Sequence, residues 1–317
     1  MSNACDDHSH VTSERSRHPR LSVSQVTTLR STFADDLRTY AEAGIEGIGI
    51  WESKLAAGSD AELLAALDRS GLGRAVAVPA VPSILPLPLL PRPADPADRV
   101  AVYRASIARL APFRPAALLC LTGPAGDLDP AEARRIVVAA LRELAQLAGR
   151  SGLRLALEPF QLEGIESWSI VNTIADAVEL IEEVGEPGIG LQFDVWHLWN
   201  SPTAADDVIR EIDRIAGVHI CDVRGETRGW ADRVLPGEGI ADVGALIGAL
   251  DAAGWDGLYD LEIFSDDGTF GTAYPDSLWN APATDFARQG RTALLAAWQG
   301  RQMLVPALTD PLGKEAL

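Results

Sequence analysis

Residues 154–194, RLALEPFQLEGIESWSIVNTIADAVELIEEVGEPGIGLQFD, carry the pattern that decides the fold. An apolar run ending in Glu158 is followed by an amphipathic stretch over 170–184, a stop at Gly185 and a second apolar run ending in Asp194. Runs so short and so continuously apolar suit strands buried on both faces, and a helix between them makes the connection a parallel crossover. The same unit recurs outward in both directions. Strand-like runs fall at 21–26, 47–51, 75–81, 117–122, 154–158, 188–194, 217–223 and 257–263. Helical patterns fall at 33–43, 61–70, 98–110, 130–150, 170–184, 204–215, 243–253 and 284–299, with Asp129-Pro130 opening one of them and Gly44, Gly71, Gly185 and Gly254 closing others. Strands and helices alternating at about 30 residues per unit, eight times over, have the period of a closed (β/α)8 TIM barrel of the α/β class. That assigns 21–299 to one domain. An open doubly wound sheet would carry G-x-G-x-x-G after its first strand or a P-loop, and the sequence has neither.

Residues 1–20 are polar and without hydrophobic period, so they are expected to form a disordered leader, with His8 and His10 there by chance. This start is too polar for a signal peptide and no apolar run is long enough to span a membrane, which predicts a cytoplasmic protein. Residues 300–317 are expected to be a surface tail. Cys5, Cys120 and Cys221 lie far apart, without C-x-x-C pairing, and the last two sit in apolar runs that predict core positions. The net charge of −18 opposes binding to phosphodiester backbones, so no nucleic-acid partner is expected. Two segments interrupt the alternation. The Pro-rich stretch 81–93 and the stretch 264–282, rich in Gly, Asp and aromatics, read as long loops after the third and eighth strands, where a barrel builds the walls of its active site.

Barrel enzymes place their chemistry at the C-terminal ends of strands. The polar residues there are few: Glu158 ends the fifth strand, Asp194 the sixth, His219 lies in the seventh and Glu262 ends the eighth. One such residue alone would be an ordinary cap or salt bridge. Four from consecutive strands would bring three carboxylates together in a half-buried mouth, where mutual repulsion raises pKa values unless a cation joins them. Oxygen-rich ligation with one imidazole suits a single divalent ion: Mn2+ first, with Co2+, Mg2+ or Zn2+ as alternatives.

The runs LALEPF, GLQFDVWHLW, GVHICDVRG with ADRVLPGEG, and GLYDLEIFSDD resemble the sugar phosphate isomerase/epimerase family of xylose isomerase-like TIM barrels, which includes ketose 3-epimerases, inosose isomerases and inosose dehydratases. The resemblance extends over about 21–299 and is strongest in the C-terminal half. It implies that Glu158, Asp194, His219 and Glu262 are the metal ligands, that His197 binds a substrate oxygen and that Arg233 contacts substrate. Lys54, just past the second strand, is either an exposed loop lysine or a charge aimed at substrate. Trp51, Trp168, Trp196 and Trp199 fall near strand ends, where indoles either stack on sugar C–H faces or fill core. Lys54 and Trp51 join His197 and Arg233 as candidate substrate contacts.

The expected activity is therefore a metal-dependent isomerase or epimerase acting on a keto-sugar or an inosose-like keto-polyol, with Glu158 and Glu262 as the acid/base pair of an enediolate mechanism. Its partner is a small sugar or cyclitol, and a homo-oligomer is compatible with the size. A lyase, either an inosose-type dehydratase or a subunit cleaving carbon-linked glycosides, is the alternative within the fold. An endonuclease relative would need more histidines than His197 and His219, and a two-metal isomerase would need further acids, for which only Asp222 and Asp232 are at hand. A barrel serving only as a binding subunit is disfavoured by the intact quartet.

Overall fold

A computed structural model describes residues 18–160 and 168–301. Residues 1–17 of the expected leader, with Cys5, His8 and His10, and residues 302–317 of the expected tail lie outside those residues, whereas Arg20, expected in the leader, opens the first strand. Eight parallel strands close into a barrel: β1 Arg20–Ser24, β2 Gly47–Trp51, β3 Gly73–Val78, β4 Ala117–Cys120, β5 Leu155–Leu157, β6 Ile189–Asp194, β7 Ile215–Ile220 and β8 Leu258–Leu261. Each pairs with its neighbours in sequence, and β1 pairs with β8 to close the ring. The outer helices are α1 Phe33–Glu42, α2 Asp60–Ser70, α3 Pro96–Leu110, α4 Pro130–Arg150, α5 Ile174–Val184, α6 Ala204–Arg210, α7 Val243–Ala253 and α8 Ala283–Gly300. Every strand expected from the sequence is present, as is every helix.

Local chemistry sets the boundaries. Asp129 accepts from the Ala131 and Glu132 amides, so α4 starts where Pro130 fits the first turn. The helix expected from 170 starts instead at Ile174, because Thr173 and Asp176 form a reciprocal capping box while Thr122 Oγ1 holds the Ile170 amide outside it. It ends at Gly185, whose φ of 69° is left-handed and admits glycine without strain. The helix expected over 204–215 stops at Arg210; a 3-10 turn over Ile212–Arg214 intervenes and Ile215 already belongs to β7.

The main core lies between barrel and helices, from Leu21, Ile48 and Leu118 on the strands to Tyr40, Leu67, Leu141 and Leu180 on the helices. A second apolar cluster sits inside the barrel toward β3–β5: Val76, Val78, Leu119, Leu121 and Ala156, with Leu87 from the Pro-rich loop packed on it. Cys120 and Cys221 are buried, as expected for core positions.

One side chain makes four hydrogen bonds to the Pro-rich loop, residues 79–95. Arg99 on α3 is fully buried, and its guanidinium donates to the carbonyl oxygens of Ser83 (2.9 Å), Leu90 (3.0 Å) and Pro93 (3.0 Å) and to Ser83 Oγ (2.5 Å). No carboxylate pairs with it among the described residues, and burial pushes it down to about 10. Arg99→Met leaves three loop carbonyls without donors, a loss of about 2–4 kcal/mol by the cost of unsatisfied acceptors. Limited proteolysis should then cut within 79–95 at protease levels that spare the parent, and unchanged cleavage would refute the anchoring.

Candidate metal centre and its cavity

Parallel register brings the strand ends to one level. Asp194 on β6 pairs with His219 on β7, and His219 pairs in turn with Asp260 on β8. Glu158 and Glu262 each follow the last residue of their strand, and their amides continue the ladder to the carbonyls of Cys120 (3.1 Å) and Ile220 (3.0 Å). All four expected ligands are buried. Donor atoms of Glu158, Asp194 and His219 lie within 4.8 Å of one another. His219 Nδ1 is 3.7 Å from Glu158 Oε1 and 3.3 Å from Glu262 Oε2. Neither Glu158 Oε1 nor His219 Nδ1 is satisfied by a hydrogen bond, although both are buried. Two unsatisfied donor atoms facing each other across three carboxylates fit a divalent cation.

Arg233 supplies positive charge at the same place. Its Nη1 lies 3.1 Å from Asp194 Oδ2 and 3.1 Å from Glu262 Oε2, and its guanidinium stacks over Phe264 and Trp196 at 4.7 and 5.3 Å from the ring centroids. Thus Arg233, expected from the resemblance as a substrate contact, lines the cavity while bridging two ligand carboxylates. Asp194 is further fixed by the Trp196 amide at 2.8 Å. Ser24 Oγ donates to Glu262 Oε1 at 3.4 Å and accepts from Trp51 Nε1 at 2.9 Å, which ties Trp51 to the site.

The charges do not share one pKa. Burial pushes Glu158 up to about 7, with His219 opposing the shift and Asp194 adding to it. Burial also raises Asp194. Glu262 goes the other way, because His219 and Arg233 outweigh its burial. His197 is lowered well below the usual imidazole range by burial and by Arg233 and His219, so it is neutral. It packs on Phe160 with ring centroids 3.7 Å apart, and its Nδ1 has no hydrogen-bond partner.

Glu158, His197, Arg233 and Glu262 form the inner end of a cavity of about 270 Å³ at the barrel mouth, which Trp51 and Trp196 also line. Lys54 does not line it. Residues Glu52–Lys54 form a 3-10 turn that sends the side chain back toward α1, where Nζ is 2.9 Å from Asp36 Oδ2 and donates to the Thr28 carbonyl at 2.7 Å. The expectation of a charge aimed at substrate is corrected, and so is that of an exposed loop lysine, since the side chain is only 9% exposed. Of the tryptophans singled out, Trp51, Trp168 and Trp196 line the cavity, whereas Trp199 packs against the main core. Asp222 accepts from the backbone amides of Val223, Gly237, Gly239 and Ala241, and Asp232 pairs with Arg224 and Arg228, so both carboxylates are engaged in shaping the loop after β7.

Two features of the site carry weaker signals in the sequence. Asp260 lies 3.8 Å from His219 Nε2, behind the ring edge that faces the carboxylates, where an acid orients a ligating imidazole. The signal was its spacing: two residues before Glu262 on a strand puts both side chains on the same face. Phe160, Trp230, Phe264 and Phe270 also line the cavity. They come from three separate loops, and Phe160 and Phe264 each follow a strand-end acid by two residues.

Residues 37–290 match the xylose isomerase-like TIM barrel family, and the chain belongs to it. It is 30% identical over 137 residues to the inosose isomerase of Halalkalibacterium halodurans, a match covering 42% of this chain and 47% of that one. The chain thus spans about half the length of that curated relative. Among solved structures it is similar to protein SMc04130 of Sinorhizobium meliloti 1021, with a TM-score of 0.75, 25% identity, and 88% and 98% of the two chains covered. It also shares its fold with the IolI protein solved with a bound zinc atom, at a TM-score of 0.71, 19% identity and 88% and 97% coverage. No helix among the described residues is long and apolar enough to cross a membrane.

Proposed function

We propose that the protein is a metal-dependent isomerase or epimerase that moves a proton on the carbon next to a carbonyl, in a keto-sugar or inosose-like keto-polyol. The observation that carries this reading is the meeting of Glu158, Asp194 and His219 donor atoms beside Glu262, at the inner end of a cavity large enough for a small-molecule substrate. Glu158, Asp194, His219 and Glu262 would hold one divalent ion, with Mn2+ the first choice by ligand type. Such an ion supplies the positive charge that makes a C–H next to a carbonyl acidic enough to lose its proton at neutral pH.

The remaining work falls to this chain's side chains. Glu158 and Glu262 both line the cavity and take the proton-carrying roles, one accepting the α-proton and the other delivering a proton. Delivery to the opposite face of the same carbon epimerises; delivery to the neighbouring carbon isomerises. Arg233 fixes Glu262 and Asp194 in place and, with its neutral neighbour His197, presents hydrogen-bonding groups to substrate oxygens. Phe264 and Trp196 cover the guanidinium and limit water at the inner end.

The test is exchange of the α-hydrogen for deuterium in D2O, followed by NMR over a panel of ketoses and inososes, with Mn2+ or Co2+ supplied or removed by EDTA. The expected result is metal-dependent deuterium incorporation without loss of water. Exchange accompanied by loss of a β-hydroxyl would assign the lyase reaction instead. A panel on which no member exchanges with metal present would sink the proton-transfer reading.

A further inference from the structure

The cavity has two unlike sides. At the ends of β5 and β8 stand Glu158 and Glu262, with Arg233 beside them; at β3 and β4 stand Val78, Leu119 and Leu121, backed by Leu87 and Leu90 of the Pro-rich loop. The outer part is aromatic. Trp230 is its hub, with ring centroids 5.5 Å from Trp168, 5.4 Å from Phe264 and 5.1 Å from Phe270, and Trp168 stacks on Phe160 at 6.3 Å. The rings are not sealed away as core is: Phe270 is 39% exposed, and Leu89 on the facing loop is 43% exposed.

Among the described residues, the polar side chains in the lining other than the indoles are Ser53, Glu158, His197, Arg233 and Glu262. Ser53 is exposed, and the other four cluster at the inner end, where Arg233 Nη1 is already engaged by two carboxylates. A polyhydroxylated chain long enough to fill the cavity would lay its outer hydroxyls against Leu89, Leu90, Phe264, Phe270 and the ring faces of Trp168 and Trp230, side chains that offer those hydroxyls no acceptor. An apolar group in the same place gains burial and ring contacts.

We infer that the substrate is a hydroxy-carbonyl compound carrying a bulky apolar substituent, an aromatic ring in preference, which seats on the Trp230-centred rings while the polar end meets Glu158 and Glu262. This rests on the reading of those two acids as the reacting end.

A matched pair separates the two ideas: 2-hydroxyacetophenone and hydroxyacetone share the hydroxy-carbonyl head and differ in a phenyl against a methyl group. Ligand-observed NMR titration of the full chain, with Mn2+ and again with EDTA, should show the phenyl compound binding about 30-fold more tightly under both conditions, the ratio expected for burying the extra ring surface. Trp230→Ala should bring the ratio below about fivefold, and Phe270→Ala, at the exposed rim, should lower it by a smaller factor. A ratio near one in the parent, or a ratio unmoved by both substitutions, overturns the substituent proposal and leaves the proton-transfer reading standing. Preserved aryl preference in a protein that exchanges no α-hydrogen on any metal-loaded substrate would do the reverse.

Discussion

Replacing Glu158 by Gln is expected to lower turnover and α-hydrogen exchange by about 10³-fold or more, the range lost when a positioned acid/base group is removed. The amide keeps the size of the carboxyl group and cannot carry the proton. Loss of folding would give the same loss of activity, so stability must be read alongside, and the sign of that effect follows from burial. Burial raises Glu158 from 4.5 to about 7, so its contribution to stability is full below the unfolded value and declines as pH rises toward and through 7. A neutral amide does not suffer that decline. In EDTA at pH 8, Glu158→Gln should therefore melt no lower than the parent, even as it loses catalysis. Glu262→Gln should also abolish turnover, but Glu262 is held in its charged form by His219 and Arg233, and its amide breaks those contacts, so this variant should melt lower. Two active variants, each within tenfold of the parent, would remove both acids from the mechanism.

The contrast between these acids was beyond the sequence, although their positions were not. Glu158, Asp194 and Glu262 each end an apolar run, and His219 sits inside one; once the eight runs are taken as barrel strands, all four must lie near one mouth. Period and length sufficed for that step. What holds Glu262 down, unlike Glu158, is His219 together with Arg233, and the approach of Arg233 to Asp194 and Glu262 depends on a short antiparallel pairing of Arg233–Val234 with Asp222–Val223. No hydrophobic period announces a pairing that short. The aromatic wall was hidden for a related reason. Phe160, Trp230, Phe264 and Phe270 belong to loops whose paths are set by Pro, Gly and individual hydrogen bonds, such as the Asp266 carboxylate accepting from the Gly268, Phe270 and Thr272 amides. Their convergence on one cavity is a tertiary fact. Asp260 is different, because alternation along β8 would have placed it beside Glu262 had the strand been read inward as well as to its end.

Nearness to a strand end does not fix the direction of a side chain, and the setting of Lys54, neither exposed nor aimed at the cavity, predicts the largest effect on stability. Lys54→Met is expected to cost about 3–5 kcal/mol, the usual loss when one member of a buried ion pair is removed and the other stays charged. The residue left behind is Asp36, fully buried on α1, which accepts hydrogen bonds from Gln25 Nε2 and Thr28 Oγ1, each at 2.7 Å, besides Lys54 Nζ. Burial already raises Asp36 above the ordinary value even with Lys54 opposing the shift. Removing the lysine raises it further, so stability is retained at acid pH, where Asp36 holds a proton, and is lost as pH rises through the new folded value. Chemical denaturation should therefore show a larger Lys54→Met penalty at pH 8 than at pH 5, and Lys54→Met with Asp36→Asn should recover part of the loss at pH 8. Because Lys54 does not line the cavity, kcat/KM of the single variant, measured well below its melting temperature, should stay within about threefold of the parent, a factor worth less than 1 kcal/mol. The opposite pattern, with stability kept at both pH values and kcat/KM reduced by a factor of ten or more, would return Lys54 to the substrate and contradict the Asp36 pairing.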